Sequence, residues 1–286
     1  MRIIQYIFLF LLPFLCCCRK APKKPITCNI GNYSSNYFSI QSNEDSPHRA
    51  FNIFCKKVNV FGILLYATPT VSDQKLLHAA NVMAQYLDND EDGAPNNQLV
   101  INAMVERNAC MIMADKEKEL KKYFRSNPPG DISAQDLYGE ETELTNGSGG
   151  QFDASLEEIL HLITSIGYAN AYPSVWGEQA GSTAANAMDK ARGGRFTSIP
   201  SSYPAAAWYH YDDKTCEYNC MVTEYVYWAI TSNLGGQNFG SRCNEIANEW
   251  ELCTPAQLQN GDPDIYTLIT DSIYGLPTVL PDGSYK

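Results

Sequence analysis

The most regular pattern of apolar and polar positions in the chain runs from Phe152 to Tyr168. At roughly 100° per residue, one broad side of this segment is apolar. That side consists of Leu156, Ile159, Leu160, Leu162, Ile163, Ile166 and Gly167. The opposite side is a narrow polar stripe of Glu157, His161, Thr164 and Tyr168, with Glu158 at its edge. The pattern predicts an amphipathic helix that presents one of the four histidines of the chain.

Periodicity predicts mainly helices elsewhere. Helical patterns cover Val71–Leu87, Asn97–Met113, Asp115–Phe124, Glu178–Arg192, Cys220–Ser232 and Asp264–Tyr274. The β-branched and aliphatic run Lys57–Thr68 is the best strand candidate. The turn-rich segment Ser126–Gly150 is predicted to be a long loop. We therefore expect a predominantly α fold, α+β with a small β component, in a single domain over residues 51–286 with disulfide-tied loops.

The first 50 residues are expected to lie outside this domain. Met1 and Arg2 precede an apolar run with the length of a signal-peptide core, shorter than the roughly 20 apolar residues of a membrane span. We predict a signal peptide over residues 1–18 and a linker or disordered arm over residues 19–50. No later stretch qualifies as a membrane span, so we expect a secreted, extracellular protein. Glycosylation sequons at Asn32 and Asn146 agree with secretion, while the Cys16 to Cys18 cluster leaves cleavage and lipid attachment both open.

Seven cysteines follow this N-terminal cluster, an odd number. In an oxidising compartment most of them should pair. We expect a bridge between Cys28 and Cys55, and two bridges among Cys216, Cys220, Cys243 and Cys253. Cys110 lies in an apolar run and is predicted to be the unpaired, buried cysteine. The spacing of Cys216 and Cys220 would also suit a metal, but disulfides are the stronger interpretation in an exported chain.

The balance of charges excludes one class of partner. The chain has a formal net charge of −11, whereas binding to nucleic acid phosphates requires a basic surface. We expect no nucleic acid partner. An acidic protein is compatible with Ca²⁺ or with cationic ligands.

The polar stripe on the predicted Phe152–Tyr168 helix has the spacing Glu157-Glu158-x-x-His161. It resembles the H-E-x-x-H helix of the zincin metallopeptidases, with the first histidine replaced by glutamate. In that family the first and fifth motif residues bind Zn²⁺ and the glutamate between them activates the metal-bound water. The resemblance implies that Glu157 and His161 are zinc ligands and that Glu158 is the general base. The added negative charge of Glu157 would weaken the Lewis acid.

A third ligand is expected from farther along the chain. Gluzincin-type zincins take it from a glutamate on a downstream helix, and the resemblance implies Glu224 for this role. Glu224 lies among apolar neighbours on a predicted helix, where a carboxylate needs a partner. His210, Asp212 and Asp213 are the alternative ligands. The candidates for a donor to a developing oxyanion are Tyr209, Tyr211 and Tyr225.

A purely structural interpretation explains the same residues without a metal. Ser155 and Glu158 have the spacing of a capping box, in which each side chain bonds a backbone amide at the helix start. Glu157 and His161, one turn apart, would then be a solvated pair near the helix N-terminus. The two interpretations differ in what His161 faces.

A second candidate metal site lies between the first two predicted helices. Carboxylates at alternate positions followed by a glycine resemble the calcium loops of EF-hand and thrombospondin-type proteins. The oxygen ligands implied by the resemblance are Asp88, Asp90 and Asp92, with Asn96 or Asn97 and backbone carbonyls completing the shell. The twelfth loop position is Leu99, where an EF-hand has a bidentate glutamate. The alternative is an acidic, solvated turn.

Two functions fit these observations. The first is a secreted zinc-dependent hydrolase, peptidase-like, acting on a peptide or protein substrate. The second is a non-catalytic extracellular protein, calcium-binding and disulfide-bonded, that binds a partner. Motifs typical of dinucleotide-binding, P-loop and α/β-hydrolase proteins are missing from the sequence.

Overall fold

A five-stranded mixed sheet organises the N-terminal half of the chain in the computed structural model, which describes residues 26, 28–31, 37–44, 48–130, 132–145 and 151–286. The strands, in their order across the sheet, are β1 (Gln41–Ser42), β2 (Lys56–Val60), β3 (Ile63–Ala67), β4 (Cys110–Ala114) and β5 (Ala134–Tyr138). β1, β2 and β3 pair antiparallel, whereas β3, β4 and β5 pair parallel. Parallel neighbours need a crossover connection. Helices α1 (Asp73–Leu87) and α2 (Gln98–Glu106) connect β3 to β4, and α3 (Glu117–Phe124) connects β4 to β5.

The C-terminal half is helical. Its helices are α4 (Ser155–Leu162), α5 (Ala169–Ala171), α6 (Pro173–Trp176), α7 (Thr183–Ala191), α8 (Tyr218–Asn233), α9 (Arg242–Glu245), α10 (Pro255–Gly261) and α11 (Pro263–Ile269). A π-helical turn, Ile163–Tyr168, continues α4, and short 3₁₀ turns cover Arg49–Ile53, Gly139–Glu141 and Ser272–Tyr274. α4 packs against α1, β5 and α8. It therefore lies where the sheet and the helical half meet.

The predicted predominance of helices is not supported, because a five-stranded sheet forms much of the N-terminal half. The predicted strand Lys57–Thr68 is a hairpin, turned at Phe61 and Gly62 with φ of 51° and 93°. Positive φ at both central residues is typical of the tight turns that join antiparallel strands. The combination of helices with a smaller β component is confirmed.

Two further boundaries differ from the prediction. The second predicted helix ends at Glu106, Asn108 adopts a φ of 52°, and the apolar run after it is β4. A short apolar run fits a buried strand and a buried helix equally well, so periodicity could not separate them. The predicted loop Ser126–Gly150 contains β5, whose residues alternate between the two faces of the sheet.

The predicted N-terminal segments are only partly covered. The predicted signal peptide, Asn32 and Asn146 lie outside the described residues. Within the predicted linker, residues 37–44 are described, and Phe38 and Ile40 are buried in the core next to strand β1. This part of the segment belongs to the fold.

The cysteine predictions are confirmed. Disulfides join Cys28 to Cys55, Cys216 to Cys220 and Cys243 to Cys253. Cys110 is free and buried on β4, and burial raises the pKa of its thiol to about 12. Within the described residues, no helix is long and apolar enough to cross a membrane.

Asp153 fixes the start of α4 and ties it to α1. Its Oδ1 accepts hydrogen bonds from the amides of Glu143 and Ser155 at 3.0 and 3.1 Å. Its Oδ2 lies 2.6 Å from Ser155 Oγ and 2.7 Å from His78 Nε2 on α1. Asp153 is 1 % exposed. One buried carboxylate therefore sets both the position and the direction of the helix that carries the candidate centre.

We expect Asp153→Ala to lower the free energy of unfolding by about 2–5 kcal/mol, because three buried donors and one half-buried donor lose their acceptor. Urea denaturation of the parent and the variant measures this change. Asp264→Ala is the control, since Asp264 makes an exposed pair with Lys190 that should contribute less than about 1 kcal/mol. Equal effects of the two substitutions would contradict the role given to Asp153.

Candidate metal centre

The start of α4 differs from the predicted capping box. The Ser155 hydroxyl donates to Asp153, and no side chain caps the helix from the position before it. The Glu158 carboxylate accepts a 2.5 Å hydrogen bond from Gln135 Nε2 on β5. Glu158 therefore points toward the sheet and does not return to the helix start, so capping does not explain its presence.

His161 is buried and faces carboxylates on both sides. Its side chain is 1 % exposed, its Nδ1 lies 3.6 Å from Glu158 Oε2, and its Nε2 lies 3.4 Å from Glu224 Oε2 on α8. Within the described part of the chain, neither ring nitrogen has a hydrogen-bond partner of good geometry. The alternative of a solvated Glu157–His161 pair is therefore wrong. The structure brings together four residues chosen from the sequence, one of them from a distant helix.

Two tyrosines lie next to the carboxylates. From the sequence, Tyr211 is a candidate only as a donor to an oxyanion, and Tyr227 is not a candidate. The Tyr211 hydroxyl donates to Glu224 Oε1 at 3.1 Å. Tyr227 lies one turn after Glu224 on α8, its hydroxyl is beside Glu157, and its ring centroid is 5.2 Å from that of His161. The spacing of Glu224 and Tyr227 on one helix face was a usable signal for Tyr227.

The helix changes geometry directly after His161. The π-helical turn Ile163–Tyr168 follows, and the hydroxyls of Thr164 and Ser165 donate to the carbonyl oxygen of His161 at 3.3 and 2.6 Å. Such π-helical turns inside α-helices are frequent at functional sites. The hydroxyls anchor the backbone that carries the imidazole.

Burial and mutual repulsion control the protonation of this cluster. Burial raises the pKa of Glu157 to about 8, and the Glu224 and Glu158 carboxylates add to the effect. Burial alone would lower the pKa of His161, but the Glu224 and Glu158 carboxylates raise it well above its ordinary value. Three carboxylates around one imidazole hold more negative charge than a single imidazolium neutralises.

The residues fit a divalent cation. Single ligand atoms of Glu157, Glu158 and His161 all lie within 4.8 Å of one another. Two ligand atoms bound at about 2.1 Å to one tetrahedral ion are roughly 3.4 Å apart, which is the separation of His161 Nε2 from Glu224 Oε2. Imidazole and carboxylate are ligands that zinc accepts. The buried imidazole nitrogens lack hydrogen bonds, and the carboxylates outnumber the cationic groups. Both features are those of a site that binds a divalent cation.

Two predicted site residues face elsewhere. The Tyr209 hydroxyl donates to the Met221 carbonyl oxygen at 2.8 Å, so it is bonded to the backbone. His210 Nε2 lies 2.8 Å from the Ala207 carbonyl oxygen, and its Nδ1 is 3.9 Å from Glu251. Both ring nitrogens of His210 are therefore directed to other partners, and Glu224 is the residue that reaches His161.

A cleft of about 1020 Å³ opens beside the cluster, and Glu158 is the cluster member that lines it. Asp136 and Tyr138 of β5 line the cleft together with Glu140 and Glu141 of the following turn. Burial raises the pKa of Glu141 to about 7, with the Glu158 and Asp136 carboxylates adding to the shift. A molecule in this cleft would therefore contact Glu158.

Glu178 is a further, half-buried carboxylate near the cluster that the sequence did not indicate. It accepts a hydrogen bond from the Thr223 hydroxyl, and Thr223 precedes Glu224 on α8. Burial raises the pKa of Glu178 to about 7, partly opposed by Thr223 and His161. Its proton therefore comes off near neutral pH.

The predicted calcium loop holds its carboxylates close together. Single oxygens of Asp88, Asp90 and Asp92 lie within 4.8 Å of one another. Asp88 accepts from the amides of Asp92 and Gly93 at 3.3 and 2.9 Å and from the Tyr285 hydroxyl. These oxygens thus already support the turn.

The remaining loop side chains are also engaged. Asn96 Nδ2 donates to Asp90 Oδ1 at 2.8 Å, and Asn96 Oδ1 accepts from the Asn89 amide at 2.6 Å. Gly93 has a φ of 91°, a conformation that glycine adopts without strain. Calcium binding here stays a prediction.

Comparison of the chain with models of protein families, with curated proteins and with solved structures finds no match.

We expect the metal-free protein to lose stability relative to Glu178→Gln as pH rises from about 4.5 through about 7. The pKa of Glu178 is raised in the folded state, so its contribution is fully present below the unfolded value and is lost as pH passes the folded value. The expected loss is on the order of 1–3 kcal/mol. Urea unfolding at pH 5 and pH 8 measures it, and an equal pH dependence in both proteins would contradict the assignment.

If the Asp88–Asn96 loop binds calcium, the parent should melt several degrees higher in excess calcium than in chelator, because a ligand of the folded state stabilises it. Asp90→Ala should remove most of that difference. Differential scanning calorimetry measures both, with Asp264→Ala as the exposed-carboxylate control. Identical melting of the parent with calcium and with chelator would remove the calcium prediction.

Proposed function

We propose that this protein is a zinc-dependent hydrolase, peptidase-like, whose metal centre is formed by Glu157, His161 and Glu224. The observation that carries the proposal is a buried imidazole whose two nitrogens lack hydrogen bonds while facing carboxylates at 3.4 and 3.6 Å. Three glutamates around one buried histidine are stable only with protons or a cation present. The three disulfides favour an oxidising compartment, in keeping with an extracellular location.

The ligands come from two helices that pack against each other. Glu157 and His161 lie one turn apart on α4, and Glu224 approaches from α8. Tyr211 donates to Glu224 and so fixes the orientation of its carboxylate. When bound, zinc would polarise a substrate carbonyl and lower the pKa of a water molecule.

Glu158 is suited to the general-base role because it alone of the cluster lines the cleft. Gln135 holds its carboxylate by a 2.5 Å hydrogen bond. Glu158 accepts a proton from the water whose oxygen bonds to the carbonyl carbon. It then gives that proton to the leaving nitrogen as the C–N bond breaks, which yields a carboxylate and an amine.

We expect the purified parent to contain one zinc ion per chain and His161→Ala to contain none. Glu158→Gln should retain the zinc and lose about 10²- to 10⁴-fold in kcat for hydrolysis of an unfolded protein, because only proton transfer is removed. Elemental analysis and a fluorescent protein-hydrolysis assay measure these quantities. Glu106→Gln, an exposed change on α2, is the control and should alter neither.

A parent without bound zinc that also fails to take up added zinc would refute the proposal. So would a Glu158→Gln variant with full activity. Circular dichroism of each variant separates loss of metal from loss of fold.

The second candidate function is a non-catalytic, calcium-binding, disulfide-bonded interaction protein. The clustered oxygens of Asp88, Asp90 and Asp92 favour it. Calcium-dependent melting in a protein with no zinc and no hydrolytic activity would select this function over the first.

A further inference from the structure

The cleft beside Glu158 has two chemically distinct parts. One part is apolar and consists of side chains from β4, from α3, from the 3₁₀ turn Arg49–Ile53 and from the segment before β5, namely Ile112, Leu120, Phe124, Phe51 and Ile132. The other part is acidic and contains Asp136, Glu140 and Glu141 next to Glu158. A ligand that fills the cleft must therefore match an apolar surface and an acidic surface side by side.

The acidic part is held in place by Tyr138. Its hydroxyl donates to Asp136 Oδ2, and its amide donates to Glu141 Oε1 at 3.0 Å. Both carboxylates are only partly exposed. Within the described ranges, neither makes an ion pair with a lysine or arginine. Two fixed carboxylates thus face the cleft without a cationic partner.

The cations on the cleft wall do not offset this charge. Counted over the residues that the structure describes, the lining has six carboxylates and two cations. The carboxylates are Glu117, Asp136, Glu140, Glu141, Glu158 and Asp213, and the cations are Lys121 and Arg125. Lys121 is paired with Glu117. The excess of negative charge is retained in a concave site, where low-dielectric walls strengthen its field.

We propose that the cleft binds a peptide segment with a lysine or arginine side chain at Asp136 and Glu141 and an apolar side chain on the surface of Leu120 and Phe124. Charge complementarity selects the cationic residue, and the apolar part of the cleft selects its neighbour. The assignment of this peptide as the substrate rests on the proposed hydrolase function, because Glu158, the proposed general base, lies at the acidic end of the cleft. Binding of the peptide to the cleft requires neither metal nor catalysis.

Fluorescence anisotropy of labelled octapeptides with the purified chain, with and without chelator, tests the binding. The peptides share a leucine and differ at one position, which is arginine, its uncharged isostere citrulline, or glutamate. We expect the arginine peptide to bind about tenfold more tightly than the citrulline peptide and the glutamate peptide not to bind measurably. The preference should weaken as salt is raised.

Asp136→Asn and Glu141→Gln should each weaken binding of the arginine peptide by roughly five- to tenfold and leave the citrulline peptide unaffected. Glu106→Gln is the control and should change neither. If one variant does not fold, the other variant and the peptide series still decide the question. Equal affinity for arginine and citrulline peptides, or no binding of either, would overturn the proposal.

The outcomes separate this proposal from the hydrolase proposal. Selective binding of the arginine peptide by a chain that is purified without zinc and takes up no added zinc supports the cleft assignment and refutes the metal centre. Zinc and hydrolysis without preference for a cationic residue support the metal centre and refute the cleft assignment.

Discussion

The burial of one imidazole among three carboxylates is the constraint on which the site depends. Glu157, Glu158 and Glu224 repel one another in a low-dielectric interior, and His161 offsets only part of that repulsion. Such a cluster costs free energy in the fold unless protons or a cation compensate it. A buried cluster of charged groups that destabilises the fold, with one glutamate accessible from a cleft, is typical of a functional site. Apolar residues would fill the same space without the electrostatic repulsion.

The surrounding elements hold this cluster in one geometry. Asp153 fixes where α4 begins, and Thr164 and Ser165 bond the carbonyl of His161 at the π-helical turn. Tyr211 and Gln135 each donate to one of the carboxylates. These contacts limit the rotamers of groups that would otherwise move apart, and preorganisation of this kind is what a metal centre or a general base requires.

The cleft meets this cluster at Glu158. His161 and Glu224 remain buried, while Glu158 lines the cleft together with residues of α3, β4 and β5. The acidic part of the cleft follows from the alternation of side chains along β5, which places Asp136 and Tyr138 on the same face. The sheet thus contributes part of the cleft wall, and the helices contribute the imidazole and the three clustered carboxylates.

Local sequence patterns determined the features that depend on neighbouring residues. The spacing of Glu157, Glu158 and His161 along one helix, the Cys28–Cys55 bridge and the unpaired Cys110 were readable from the sequence, whereas the pairing among the last four cysteines was not. The short apolar run of β4 was ambiguous between strand and helix, and β5 lies in a turn-rich segment that was predicted to be a loop, so both strands were missed.

Only the tertiary structure decided which distant side chain meets His161. It brings Glu224 to the imidazole and directs His210 to Ala207 and Glu251. Long-range packing of α4 against α8 makes that choice, and no periodicity within either helix encodes it. The same packing buries the polar stripe, which a helix considered alone would present to solvent.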